Sequence, residues 1–114
     1  MDRITHFRQT ILDIIDDYVN EHTPSVAKEG LAYEKLIDTN NQRFQLILVG
    51  WKEEERYYSR IFHVDIINDK IWIQDDNLEY SVAERLGDRG IAKKDIVLAY
   101  FSPSHREYTE YAVS

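Results

Sequence analysis

Ile4, Phe7, Ile11, Ile14 and Tyr18 recur at three- and four-residue spacing. With Leu12, Ile15 and Val19 they draw an apolar stripe down one face of a helix. Asp2 is placed to cap the first turn by accepting a backbone N–H. Thr23-Pro24 is expected to end the helix, because the residue before a proline is pushed out of the α region. The same stripe would suit a short coiled-coil seam, but two heptads are too few to specify one, so core packing is the favoured reading.

From Gly30 the period changes. Leu31 to Asp38, Arg43 to Trp51, Arg56 to Ile67 and Lys70 to Asp76 are rich in aromatic and β-branched residues and are separated by short polar breaks. This pattern predicts an antiparallel meander of about four strands. The second strand is apolar on both faces (Phe44, Leu46, Leu48 against Ile47, Val49, Trp51), which suggests a central strand covered on both sides. The breaks at Thr39 to Gln42 and Lys52 to Glu55 are of hairpin length, and Glu53-Glu54-Glu55 reads as a solvated turn.

Asn68-Asp69 sits between two strand-like runs, and both residue types tolerate positive φ, so a two-residue hairpin is predicted. Its register sets Ile67 opposite Lys70, Asp65 opposite Trp72 and His63 opposite Gln74, all on one side. Phe62, Val64, Ile66, Ile71 and Ile73 then form the core side. After Asp76 a second helix is expected, capped by Asp76 or Asn77, with Val82, Ala83 and Leu86 inward and Gly90 as terminator. Asp95 to Phe101 supplies a fifth strand, ended by Pro103. The tail His105 to Tyr111 is too aromatic for simple disorder and is expected to dock. The fold class is therefore α+β.

Composition narrows the function classes. At 114 residues the chain is expected to form one domain, residues 1–114. Without cysteine there is no disulfide, thiolate metal cluster or cysteine nucleophile, which suits a reducing cytoplasm. Apolar runs such as Leu46 to Val49 are too short to span a bilayer, and Met1-Asp2-Arg3 does not open a basic-then-apolar leader. Fourteen Lys and Arg stand against 21 Asp and Glu, a net charge of −7. Only Lys93-Lys94 are adjacent, so direct nucleic-acid binding is disfavoured, since gripping phosphates requires clustered cations.

Catalytic motifs are weak. His6, His22, His63 and His105 lack zinc-ligand spacing, the four glycines form no phosphate loop, and no serine sits in a nucleophile elbow. No cofactor is called for. His63 and Asp65 stand two apart on one strand face, where a carboxylate can orient an imidazole, although a structural or interface role is the commoner one. Trp72 on a polar strand face has two readings: a binding contact, or a core residue covered by the first helix. Arg106, Tyr108 and Tyr111 form a second candidate contact strip.

The run His63-Val64-Asp65-Ile66, the stretch Asn68 to Asp76, the block Gly90 to Leu98 and the terminal Arg106 to Ala112 together resemble the XisI family of cyanobacterial excision controlling factors. The similarity runs from the first helix through Val49-Gly50-Trp51 to the tail. It departs at Asn68-Asp69, where the family has Asp-Gly, at Asn77-Leu78-Glu79, where Gly-Thr-Glu or similar is found, and at Ala92, where proline is usual. The resemblance implies an accessory factor in programmed, site-specific excision of the fdxN element, which interrupts a nitrogen-fixation gene, during heterocyst differentiation; the acidic balance, the missing catalytic motif and the polar-aromatic hairpin face make a non-enzymatic role the expectation. It also implies a protein partner called XisH and, indirectly, a site-specific recombinase. It supplies no catalytic residues.

The matching residues His63, Asp65, Lys70, Trp72, Gln74, Asp76, Glu79, Arg106 and Tyr108 are accordingly expected to form a partner surface. Two alternatives stand beside this: a recombination directionality factor that touches DNA itself and, further off, a small hydrolase using His63 and Asp65. The helix stripe and open edge strands also allow a homodimer.

Overall fold

The structure, a computed structural model, describes residues 2–114. The apolar stripe forms a 25-residue helix, α1 (Arg3–Ala27), whose Asp2 cap accepts the Thr5 N–H. Pro24 lies inside this helix rather than ending it. Within one turn of the terminus, proline removes a single hydrogen bond to the carbonyl four residues back. Thr23 Oγ1 donates to the Val19 carbonyl in that same turn.

Strands β1 (Leu31–Asp38), β2 (Arg43–Lys52), β3 (Glu55–Ile67) and β4 (Lys70–Asp76) follow as an antiparallel meander; the first break is 39–42 as expected, while the second narrows to Glu53-Glu54 because Lys52 and Glu55 pair within the strands. Asn68 and Asp69 take φ of 50° and 63°, the pair of left-handed residues that a type I′ hairpin requires. Helix α2 (Val82–Asp88) then leads to β5 (Ile96–Leu98), which adds parallel to β4, so the sheet order is β1-β2-β3-β4-β5. The fifth strand is shorter than the expected Asp95 to Phe101. Residues 93–95 form a 3-10 turn before it, and Pro103 opens a short helix, α3 (Pro103–Arg106), rather than closing a strand.

The cap of α2 is Ser81, not Asp76 or Asn77. Asp76 nonetheless serves the helix entrance, accepting the N–H groups of Leu78 and Val82 at 3.1 and 2.8 Å. The far end closes as foreseen at Gly90, which has φ of 90°. Ile91 N–H reaches the Leu86 carbonyl and Gly90 N–H the Gly87 carbonyl, the two bonds of a Schellman motif.

Helices α1 and α2 cover one face of the sheet. Phe7, Ile11, Ile14 and Ile15 from α1 and Val82, Ala83 and Leu86 from α2 bury Phe44, Leu46, Phe62, Val64, Ile71 and Ile73. The predicted core side of the β3–β4 hairpin is therefore the helix side. The first helix does not cover Trp72, which lies on the opposite face, and β2 is central but fully covered only on the helix side.

Two bulges decide which residues share that opposite face. Between Leu46 and Ile47 the β2–β3 register shifts, so Leu46 pairs with Phe62 but Ile47 with Arg60. Arg56, Tyr58 and Arg60 thus share a face with His63 and Asp65, although strict alternation would separate them. A second shift lies between His63 and Val64 in the β3–β4 pair: His63 faces Asp75, not Gln74 as expected. One extra residue in β4 carries Asp76 round to the helix side, where it pairs with Phe62.

Candidate functional site

One cross-strand row organises the face opposite the helices. Asp38 pairs with Arg43, Arg43 with Asp65, Asp65 with Trp72 and Trp72 with Val97. Alternation fixes all five side chains on one side of the sheet. Asp65 is 5% exposed and sits at the centre of the polar half. Its Oδ1 accepts from His63 Nε2 at 2.8 Å and lies 3.7 Å from Arg43 Nε, while its Oδ2 accepts from Gln74 Nε2 at 3.2 Å. A carboxylate this buried is tolerated because His63 and Gln74 donate to it and the Arg43 guanidinium lies beside it as a counter-charge.

That geometry makes Asp65 an orienting group. It holds the His63 ring by Nε2 and leaves Nδ1 without a partner among the described residues, on a side chain 25% exposed. No Ser, Thr or Tyr hydroxyl bonds this imidazole among the described residues, so the pair has the form of a positioned surface histidine without a nucleophile to activate. No group of three or more His, Cys, Asp or Glu able to hold a metal occurs among the described residues.

The apolar half of the row is roofed by the tail. Arg106 lays its guanidinium over the Trp72 ring, 5.4 Å from the centroid, and donates to the carbonyls of Phe101, Ala99 and Val113. Ala112 N–H bonds the Ile96 carbonyl at 2.9 Å, a single parallel bridge that carries the last residues beside β5. The Lys70 ammonium donates to the Ser114 carbonyl. The tail docks as expected, and Trp72 is covered by it rather than left open. Trp72 Nε1 is buried there with no hydrogen-bond partner among the described residues. The guanidinium–indole contact is favourable because the indole face is electron-rich, but it accepts nothing from that N–H.

The structure gathers His63, Asp65, Lys70, Trp72, Gln74 and Arg106 into this assembly. Tyr108 projects from the tail at 86% exposure. Asp76 and Glu79 are elsewhere: Asp76 caps the α2 entrance on the helix side and Glu79 is exposed in the loop before that helix. Burial holds the Asp76 carboxyl above the usual carboxylate range, partly offset by the two N–H groups it accepts. Arg43 was not among the expected site residues, although it touches Asp65. Its pairing depends on the bulge at Leu46/Ile47, and a bulge leaves no reliable mark in the apolar pattern.

A search of curated proteins gave no match. A XisI-like protein from Anabaena variabilis superposes with a TM-score of 0.87 at 28% identity, covering 96% of this chain and 98% of that one. The fdxN element excision controlling factor XisI from Anabaena variabilis gives a TM-score of 0.80 at 29% identity, covering 99% and 100%. The family described as XisI protein matches residues 1–113. With the hairpin, the Schellman-closed α2 and the Arg106-anchored tail all lying inside that match, the chain belongs to the XisI family.

Proposed function

We propose that this protein is a non-catalytic, cytoplasmic excision controlling factor that works by binding a protein partner of the XisH kind and, through it, a site-specific recombinase. The process would be the programmed DNA rearrangement of heterocyst differentiation. The observation that carries this reading is Tyr108, 86% exposed on a tail segment that Arg106 anchors by three carbonyls and an indole ring. An exposed tyrosine on an anchored segment is the kind of residue that dominates protein–protein contacts, because it contributes a large contact area with few side-chain torsions to order. His63, 25% exposed on the sheet face that the tail partly roofs, adds a polar side chain. The chain's net charge of −7 favours a partner that handles DNA over direct contact with DNA.

The test is co-expression and pull-down with a neighbouring XisH-like protein, comparing wild type with Tyr108→Ala. Trp72→Ala serves as a variant that loosens the whole tail. Recovery of the partner by wild type and its loss in Tyr108→Ala, with unchanged circular dichroism, is the expected result. Equal recovery by folded Tyr108→Ala would remove the tail strip as the contact, and salt-sensitive gel-shift of an element-end duplex by the protein alone would favour the DNA-contacting alternative.

A further inference from the structure

The tail roofs only the β4–β5 half of the sheet face opposite the helices. Over β1, β2 and β3 the same face has no covering layer among the described residues and carries Leu36, Trp51 and Tyr58 at 42%, 56% and 67% exposure, with Val49 half-buried between them and Ile47 buried among its neighbours. A sheet that is apolar on both faces is ordinarily covered on both, because each uncovered apolar side chain forfeits its transfer free energy.

Two charges flank this strip, and neither is satisfied among the described residues. Arg56 makes no ion pair or side-chain hydrogen bond among the described residues, and its guanidinium lies only over the Trp51 and Tyr58 rings, at 5.7 and 5.8 Å. Arg60, on the same face, is already bound to Asp75 at 2.9 Å. Glu34 on the edge strand is likewise exposed and unpaired among the described residues.

The register places these two charges symmetrically. Glu34 pairs with Ile47, and Arg56 pairs with Trp51 from the other side of β2. Val49 lies midway between Ile47 and Trp51 on the strand that separates them. A two-fold axis in the contact plane over Val49 therefore carries each Arg56 onto the Glu34 of a facing copy. This is the self-complementarity that an isologous interface needs, with one surface supplying both members of each pair. We infer that the open β1–β3 face is a homodimer interface, on which a second copy packs sheet against sheet and closes two Arg56–Glu34 ion pairs around an apolar centre.

Sedimentation velocity and light scattering at micromolar to high-micromolar concentration test this with the full chain. Wild type is expected at twice the chain mass of 13.6 kDa. Arg56→Glu and Glu34→Arg should each set like charges face to face and weaken self-association about a hundredfold. The double swap carrying both substitutions should restore the dimer, which a merely structural role for either residue would not do. Circular dichroism checks that each variant is folded, and Glu34→Arg, at an exposed edge position, is the control should Arg56→Glu misfold. A wild type monomeric at high-micromolar concentration, whatever other protein it binds, overturns the inference. So does a dimer indifferent to both single reversals, or a folded double swap that stays monomeric. Because Tyr108 lies outside this face, loss of the partner in Tyr108→Ala and loss of the dimer in Arg56→Glu are separable outcomes.

Discussion

The two faces of the five-stranded sheet are built from the same alternating strands yet held by different forces. On the helix side, Phe44, Phe62, Val64, Ile71 and Ile73 are at most 1% exposed beneath α1 and α2, and the stabilisation is burial of apolar surface. On the tail side the centre is a carboxylate with three polar partners beside an indole capped by an arginine. A dry face tolerates no loss of volume, whereas a polar face tolerates no loss of a partner. Function is more readily placed on the second, where side chains are held by directional contacts and remain partly open to solvent.

The largest expected effect breaks the helix side. Phe62→Ala should cost about 3–5 kcal/mol, because the cavity adds to the lost transfer free energy, and urea unfolding followed by circular dichroism measures it. Trp72→Ala on the other face should cost less, about 2–3 kcal/mol, since the indole is only partly buried. Its sharper signature is hydrogen exchange: the Ala112 amide, bonded to the Ile96 carbonyl, should lose protection while the β3–β4 ladder keeps its own. Protection lost equally in both would show the two faces to be one cooperative unit. Asp65→Asn should cost about 1–3 kcal/mol, the range for removing the charged member of a buried hydrogen-bonded group. NMR should show the His63 ring freed from its fixed tautomer in that variant.

The smallest effect reads the covered face by pH. Burial, with Tyr18 beside it, pushes the Tyr33 phenol from 10.0 up to about 12. The folded state thus holds this proton more tightly than the unfolded chain. The stability so contributed is present below pH 10 and is lost as pH rises from 10 through about 12. Ultraviolet titration should show a late-ionising tyrosine that disappears in Tyr33→Phe.

Much of the fold was legible in local pattern. Asn68-Asp69 announced its turn by residue type, the alternation Phe62, Val64, Ile66 announced the core side, and Gly90 announced the end of α2. Pro24 was misleading because one lost hydrogen bond near the terminus of a 25-residue helix is outweighed by packing of the stripe before it. The polar site was half legible. His63, Asp65 and Trp72 followed from hairpin register, but Gln74 slipped out of its pairing, Asp76 left the face, and Arg43 joined it unforeseen. All three changes come from bulges, which insert one residue into a ladder without altering composition or period enough to be seen.

By itself the amino-acid sequence determined the order of α1, the five strands and α2, the turn chemistry, the helix-side core, the acidic balance and the family likeness. Each of these is written in residue types a few positions apart. Only the tertiary structure decided that the tail, not the first helix, roofs Trp72, that Arg106 meets an indole 34 positions away, and that half of one sheet face stays open with Arg56 and Glu34 unpaired among the described residues. Those outcomes depend on which layer wins a two-faced sheet. That competition is settled by packing between segments distant in the chain, where local propensity carries no information.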